Sequence, residues 1–147
     1  MARKKKRGIV RATVNVEAEK AAIKSVLDNY VTSVEKADMG LYAKTVAHDP
    51  GMVNFGAAAS ERIVGWDALR EVMEAQNAAL SGTKIAASDV TVNVSSEGRF
   101  AWATSLWEFK ATMGGQAIAL PVRCTWILEK RETGWVVVHF HKSVGTA

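Results

Sequence analysis

The hydrophobic pattern of this 147-residue chain changes period once, near residue 83. Before that point apolar residues recur at spacings of three and four. After it they alternate. This order puts the helices first and the long alternating strands afterwards. It predicts an α+β domain in which one curved, mainly antiparallel sheet covers its inner face with three helices.

The first helix is predicted from Glu17 to Lys36. Ile23, Val26, Leu27, Tyr30, Val31 and Val34 form its apolar stripe. Asp38 can cap a second helix that runs to about Ala47 and stops at His48-Asp49-Pro50-Gly51. Met52–Phe55 and Arg62–Val64 read as short strands around the small residues Gly56 to Ser60. Gly65-Trp66-Asp67 opens a third helix that reaches about Leu80, with Ser81-Gly82 as its stop.

Four long strands are predicted next: Lys84–Val94, Arg99–Thr112, Gln116–Lys130 and Trp135–Ser143. Gly114-Gly115 marks the central hairpin. Alternation places Val122, Cys124, Trp126 and Leu128 on one face, with Val136, Val138, Phe140 and Lys142 on the matching face of the next strand. These nearly apolar sets are expected to face the helices. Arg123, Thr125, His139 and His141 fall on the opposite, semi-polar face, which suits a dimer interface. On the strand before them, Trp102, Thr104, Leu106 and Glu108 share one face. Trp107 takes the other, and is expected at the interface.

Charge narrows the partners. The 19 basic residues include five within the first seven positions, Arg3 to Arg7; the remainder of the chain carries 14 against 15 acidic residues. The body is therefore neutral, which argues against a nucleic-acid groove on it and leaves only the tail for such a contact. Residues 1–14 are expected to be a flexible basic tail and residues 15–147 one domain. A single cysteine, Cys124, excludes an internal disulfide and points to a reducing, cytoplasmic setting. No uncharged apolar run is long enough to cross a membrane, so no membrane partner is expected.

Two stretches, Asp49-Pro50-Gly51-Met52-Val53-Asn54-Phe55 and Gly134-Trp135-Val136-Val137-Val138-His139-Phe140-His141-Lys142-Ser143, carry a resemblance. With the element order, they make residues 17–145 resemble the nuclear transport factor 2-like superfamily. That superfamily includes ketosteroid isomerases, SnoaL-like cyclases and scytalone dehydratase. The second stretch is also similar to the closing strand of the calcium/calmodulin-dependent kinase II association domain. The resemblance implies a cone-shaped fold with a ligand pocket between the helices and the concave sheet face.

For this pocket the reading selects Tyr30, Asn54, Trp66, Trp102, Leu106, Glu108, Trp126, Phe140 and Lys142. By resemblance to the isomerases, Tyr30 is the candidate donor to a developing oxyanion. Where those enzymes hold a carboxylate base, residues 52–58 offer only Asn54, so no base is identified. The arginine positions of the kinase association domain correspond to Leu106, Trp126 and Lys142, which implies a more apolar cavity. Lys142 is then expected to reach solvent, pair with Glu108 or meet a ligand anion. His139 and His141 lie two apart on one strand without a third ligand at a standard spacing, so no metal and no cofactor are implied.

The function expected is binding of a small, mostly apolar or carboxylate-bearing molecule. Any turnover would be of the cyclase, dehydratase or isomerase type. The alternative is a non-catalytic oligomerisation hub. In both, the chain pairs with itself through Trp107, Arg123, Thr125, His139 and His141.

Overall fold

The computed structural model describes residues 13–145; the basic run at residues 3–7 lies outside them. Helix α1 spans Val16–Glu35, α2 Met39–Thr45 and α3 Trp66–Ala79. The strands are β1 Val53–Phe55, β2 Arg62–Val64, β3 Leu80–Val94, β4 Phe100–Met113, β5 Gln116–Arg131 and β6 Gly134–Val144. They form one open six-stranded sheet in the order β2-β1-β6-β5-β4-β3. Every neighbour pair is antiparallel except β1 with β6, which makes the sheet mixed. The α+β architecture of three helices on one sheet face is as the periodicity predicts.

Local chemistry sets the helix starts. The Asn15 side chain accepts the Ala18 N–H at 3.1 Å and caps α1; Asp38 accepts the Leu41 N–H at 3.0 Å and caps α2. The chain then turns at Pro50 and passes through Gly65 with φ +82°. A side chain there would meet the Pro50 carbonyl at 2.8 Å, so only glycine fits. The end of α3 departs from expectation. Ser81-Gly82 does not stop the helix, because β3 begins directly at Leu80. Gly82, with φ +60°, instead lies in an irregularity between Ser81 and Lys84 of that strand.

The core lies between α1 and the inner face of β4, β5 and β6. Ile23, Leu27 and Tyr30 of α1 join Val122, Cys124, Trp126 and Leu128 of β5 in one buried cluster. The β5 face assignment therefore stands. That of β6 holds only in its second half. Ile127 pairs with His139, but Leu128 pairs with Val137, so Val138 is an extra residue on β6. This bulge slips the phase by one. Trp135 and Val137 turn inward and are buried, whereas Val136 and Val138, expected against the helices, are only half-buried. Beyond the bulge Phe140 and Lys142 take the inner face as expected.

Strand β4 has the phase opposite to the one expected. Its buried residues are Ala101, Ala103, Ser105, Trp107 and Ala111; Trp102, Leu106 and Glu108 are exposed on the outer face. The physical reason is room. Ala101 and Ala103 are completely buried in the core cluster, which larger side chains at those two positions would overfill.

Candidate functional site

The β1–β2 hairpin docks on the sheet through a single parallel pair, Phe55 with His141. Two side chains reinforce it. Asn54 Oδ1 accepts the Phe140 N–H at 2.7 Å. His139 Nδ1–H donates to the Val53 carbonyl at 2.5 Å; since a carbonyl only accepts, that ring nitrogen carries the proton. The hairpin, α3 and the ends of β4 to β6 then enclose a cavity. A narrow inner chamber of about 40 Å³ is walled by Tyr30, Tyr42, Asn54, Trp107 and Phe140. It shares Glu61, Gln76, Trp107, Phe109 and Lys142 with a wider outer cleft of about 370 Å³. The outer volume falls within the range typical of small-molecule sites.

The chamber is lined by rings. Tyr30 lies 5.1 Å from Phe140 and 5.4 Å from Tyr42, centre to centre, and Trp107 lies 5.9 Å from Phe140. Burial, reinforced by Tyr42, pushes the Tyr30 phenol well above its ordinary range; burial pushes Tyr42 up to about 12. Both hydroxyls stay protonated at neutral pH and can act there only as neutral hydrogen-bonding groups.

Two further donors are free in this wall. Asn54 spends its oxygen on Phe140, and its Nδ2 has no partner among the described residues; Trp107 Nε1 has none either. Both residues are more than nine-tenths buried. An unpaired buried N–H costs about 1–3 kcal/mol, which an acceptor oxygen in the chamber would recover.

The charged groups are Glu61 and Lys142. Glu61 Oε1 accepts the Ala58 N–H at 3.2 Å, and its other oxygen lies over Gly56, where an added side chain would collide with it. The carboxylate is thus held at the wall by its own turn. Lys142, half-buried on the inner face, forms no ion pair among the described residues. Its expected pairing with Glu108 is ruled out, because Glu108 is exposed on the other side of the sheet.

Of the residues chosen from sequence, the structure brings Tyr30, Asn54, Phe140 and Lys142 together. Trp102, Leu106 and Glu108 are on the outer face and cannot line the cone. Trp126 sits behind Tyr30 and Phe140, 5.9 and 5.2 Å away, and borders a different cleft. Trp66 is stacked on His48 at 4.1 Å and packs beside Tyr42, outside the cavity lining. Of the expected interface residues, Arg123, Thr125, His139 and His141 do lie on the outer face. Trp107 does not: it is a cavity wall. Sequence reading missed Tyr42, Glu61 and Gln76. Glu61 alone had a usable signal, as the first acid after the small residues that turn the hairpin. Among the described residues no three His, Cys, Asp or Glu side chains gather where a metal could bind.

Helices on one face of an open mixed sheet, with a ring-lined cavity between them, define the nuclear transport factor 2-like fold. Residues 23–147 match the SnoaL-like domain family, and the chain belongs to it. No curated protein matches the sequence. Solved structures match in shape. A nuclear transport factor 2-like superfamily protein from Salmonella enterica serovar Typhimurium is 23% identical with TM-score 0.81, covering 89% of this chain and 94% of that one. A ketosteroid isomerase-like protein from Erwinia carotovora atroseptica is 22% identical with TM-score 0.74, covering 88% and 98%. A protein from Streptomyces avermitilis, provisionally named a dehydratase of the same family, is 14% identical with TM-score 0.81, covering 89% and 99%. At these identities the likeness is one of fold.

Proposed function

We propose that this SnoaL-like domain binds a small, mostly apolar molecule carrying a carbonyl or carboxylate oxygen, seated in the cone. The observation that carries this reading is Asn54: a buried amide whose oxygen is engaged and whose NH2 is unspent in a chamber walled by rings. Lys142 at the outer cleft suits an anionic end of the same molecule, and the aromatic wall suits its body. Glu61 supplies a carboxylate on the same wall. Proton transfer next to a carbonyl is the reaction class these groups can serve, with the Asn54 NH2 donating a hydrogen bond to the carbonyl oxygen and Glu61 as proton acceptor. The neighbours named for dehydratase and isomerase-like proteins support that class.

Native mass spectrometry of gently purified protein is the test. The expected result is a retained small mass that is lost when Val72, exposed on α3 and lining the chamber, is replaced by Trp. Retention of the same mass by Val72→Trp would overturn the reading. So would an empty wild-type protein whose melting temperature is unmoved by a panel of aromatic ketones and carboxylates.

A second reading, self-association through the outer sheet face, is favoured by one observation. Trp102, Leu106 and Ile127, three large apolar residues, are each at least 40% exposed there, and Trp102 pairs directly with Ile127 across β4 and β5. The partner is then a second copy, with Arg123, Thr125 and His141 around the patch. Sedimentation velocity checks this: Leu106→Asp is expected to convert a dimer to monomer, and an unchanged sedimentation coefficient would reject it.

A further inference from the structure

Trp126 is 1% exposed, and its indole N–H has no partner among the described residues. It does not face the cone. With Trp107 it floors a separate cleft of about 250 Å³ between α1 and the edge strand β3. Leu27 and Val31 of α1 form one wall; Ala87 and Val90 of β3 form the other. Trp107, whose N–H is also unpartnered, borders both this cleft and the cone, so it is the partition between them.

The cleft is built by a defined feature of β3. Ser88 pairs with Leu106 and Thr91 with Thr104, so Asp89 and Val90 oppose the single residue Ser105. Asp89 adopts φ +50°, a left-handed conformation uncommon for residues other than glycine. The Ser105 hydroxyl donates to the Ser88 carbonyl at 3.1 Å beside the irregularity. A bulge of this kind bends an edge strand, and this one borders the cleft that Trp126 lines with its buried, unpartnered N–H. At the mouth stand Lys24 and Asp28, one charge of each sign, which favours a neutral occupant over an ion.

We propose that the α1–β3 cleft is a second small-molecule site, selective for a neutral one-ring molecule with an acceptor oxygen that receives the Trp126 indole N–H. The site stands independently of the cone reading. Its volume suits one ring: a dry apolar cavity of about 150 Å³ already admits benzene. An occupant presses on Trp107 and is felt at the wall of the cone.

The test uses two isosteric probes, acetophenone and α-methylstyrene, which differ in a carbonyl oxygen against a methylene. The readout is the five indole N–H signals in nitrogen–proton correlation spectra, with the Trp126 signal assigned by its loss in Trp126→Phe. Acetophenone is expected to shift that signal saturably. It should bind about tenfold tighter than α-methylstyrene, the ratio expected when an acceptor meets a buried donor that a hydrocarbon leaves unpaired. The shift should persist in Val72→Trp, which fills the cone, and vanish in Ala87→Leu, which fills the cleft from an exposed position on β3. Val90→Trp is a second filling variant should Ala87→Leu lose its native spectrum. A Trp126 shift that survives both cleft fillings, or that disappears on filling the cone, would overturn the proposal. Equal binding of the two probes, or no shift at acetophenone saturation, would also overturn it. Failure of the cone to retain any ligand leaves these outcomes unchanged, so the two readings fail separately.

Discussion

Asn54 reaches across from the β1–β2 hairpin and accepts the Phe140 N–H at 2.7 Å, and the same residue, with its buried NH2 unpartnered among the described residues, lines the inner chamber. One side chain therefore both fastens the hairpin and equips the cavity. Asn54→Ala is expected to lower stability by about 1–3 kcal/mol, because it leaves the buried Phe140 N–H unpaired. Urea denaturation measures this. A loss within error of zero would show that the hairpin is held elsewhere.

The two faces of the sheet should respond differently to losing a tryptophan. Trp126 is buried among Tyr30, Trp107 and Phe140, so Trp126→Ala is expected to cost about 3–5 kcal/mol. Trp102, exposed on the outer face, is expected to cost only about 0.5 kcal/mol in the monomer. Equal losses in equilibrium unfolding at low protein concentration would contradict the assignment of β4.

Acid should weaken the fold through two carboxylates. Arg131, donating to both Asp49 oxygens at 2.9 and 2.5 Å, holds the Asp49 carboxyl below its ordinary value of 3.8. Lys130 and then the Trp135 N–H, the latter at 2.6 Å, lower Glu19 from 4.5. Groups whose folded pKa is depressed stabilise the protein fully above the unfolded value, and that contribution disappears as pH falls through the folded one. The melting temperature is therefore expected to carry the full contribution of these pairs and to change little with pH near pH 6, and to fall below about pH 4.5, where the Glu19 reference value lies. Both pairs are partly solvated, which keeps the effect modest. The double variant Glu19→Gln, Asp49→Asn should melt lower at pH 6 and show a shallower decline in acid. A decline as steep as the wild type's would remove these pairs from the account.

Cys124 should be chemically silent while the protein is folded. Burial pushes its thiol up to about 12, outweighing a smaller opposing effect of the Lys142 charge. Reaction with a disulfide reagent at pH 8 is expected to proceed at the rate of unfolding. A stoichiometric burst in native buffer would mean that the β5 inner face is accessible.

The order of elements was legible because it depends on local periodicity. The stripe Ile23, Leu27, Tyr30, Val34 can only be one helix face, and Asp38 can cap only the helix on its C-terminal side. The inner face of β5 was legible for a similar reason: Val122, Cys124, Trp126 and Leu128 alternate with Arg123 and Thr125, and only one of those sets can be buried. Part of the site was legible too, since Phe140 and Lys142 lie past the β6 bulge, Tyr30 lies on the apolar stripe of α1, and Asn54 falls where the resemblance places a pocket residue.

Strand β4 gave no such asymmetry. Trp102 and Leu106 are large and apolar, Ala101 and Ala103 are small and apolar, and alternation alone does not say which set is inside. The room left in the core decided it, with Ala101 and Ala103 completely buried, and that phase turned Trp107 from an expected interface residue into the partition between two cavities. The extra residue Val138 decided β6 in the same way. The sequence by itself determined which residues share a face and in what order the elements come, since both arise from covalent spacing. Which face of β4 is buried, where a strand slips by one, and that Glu61 and Asn54 meet one cavity were decided only in three dimensions, where volume and unpaired hydrogen-bonding groups are settled between segments far apart in the chain.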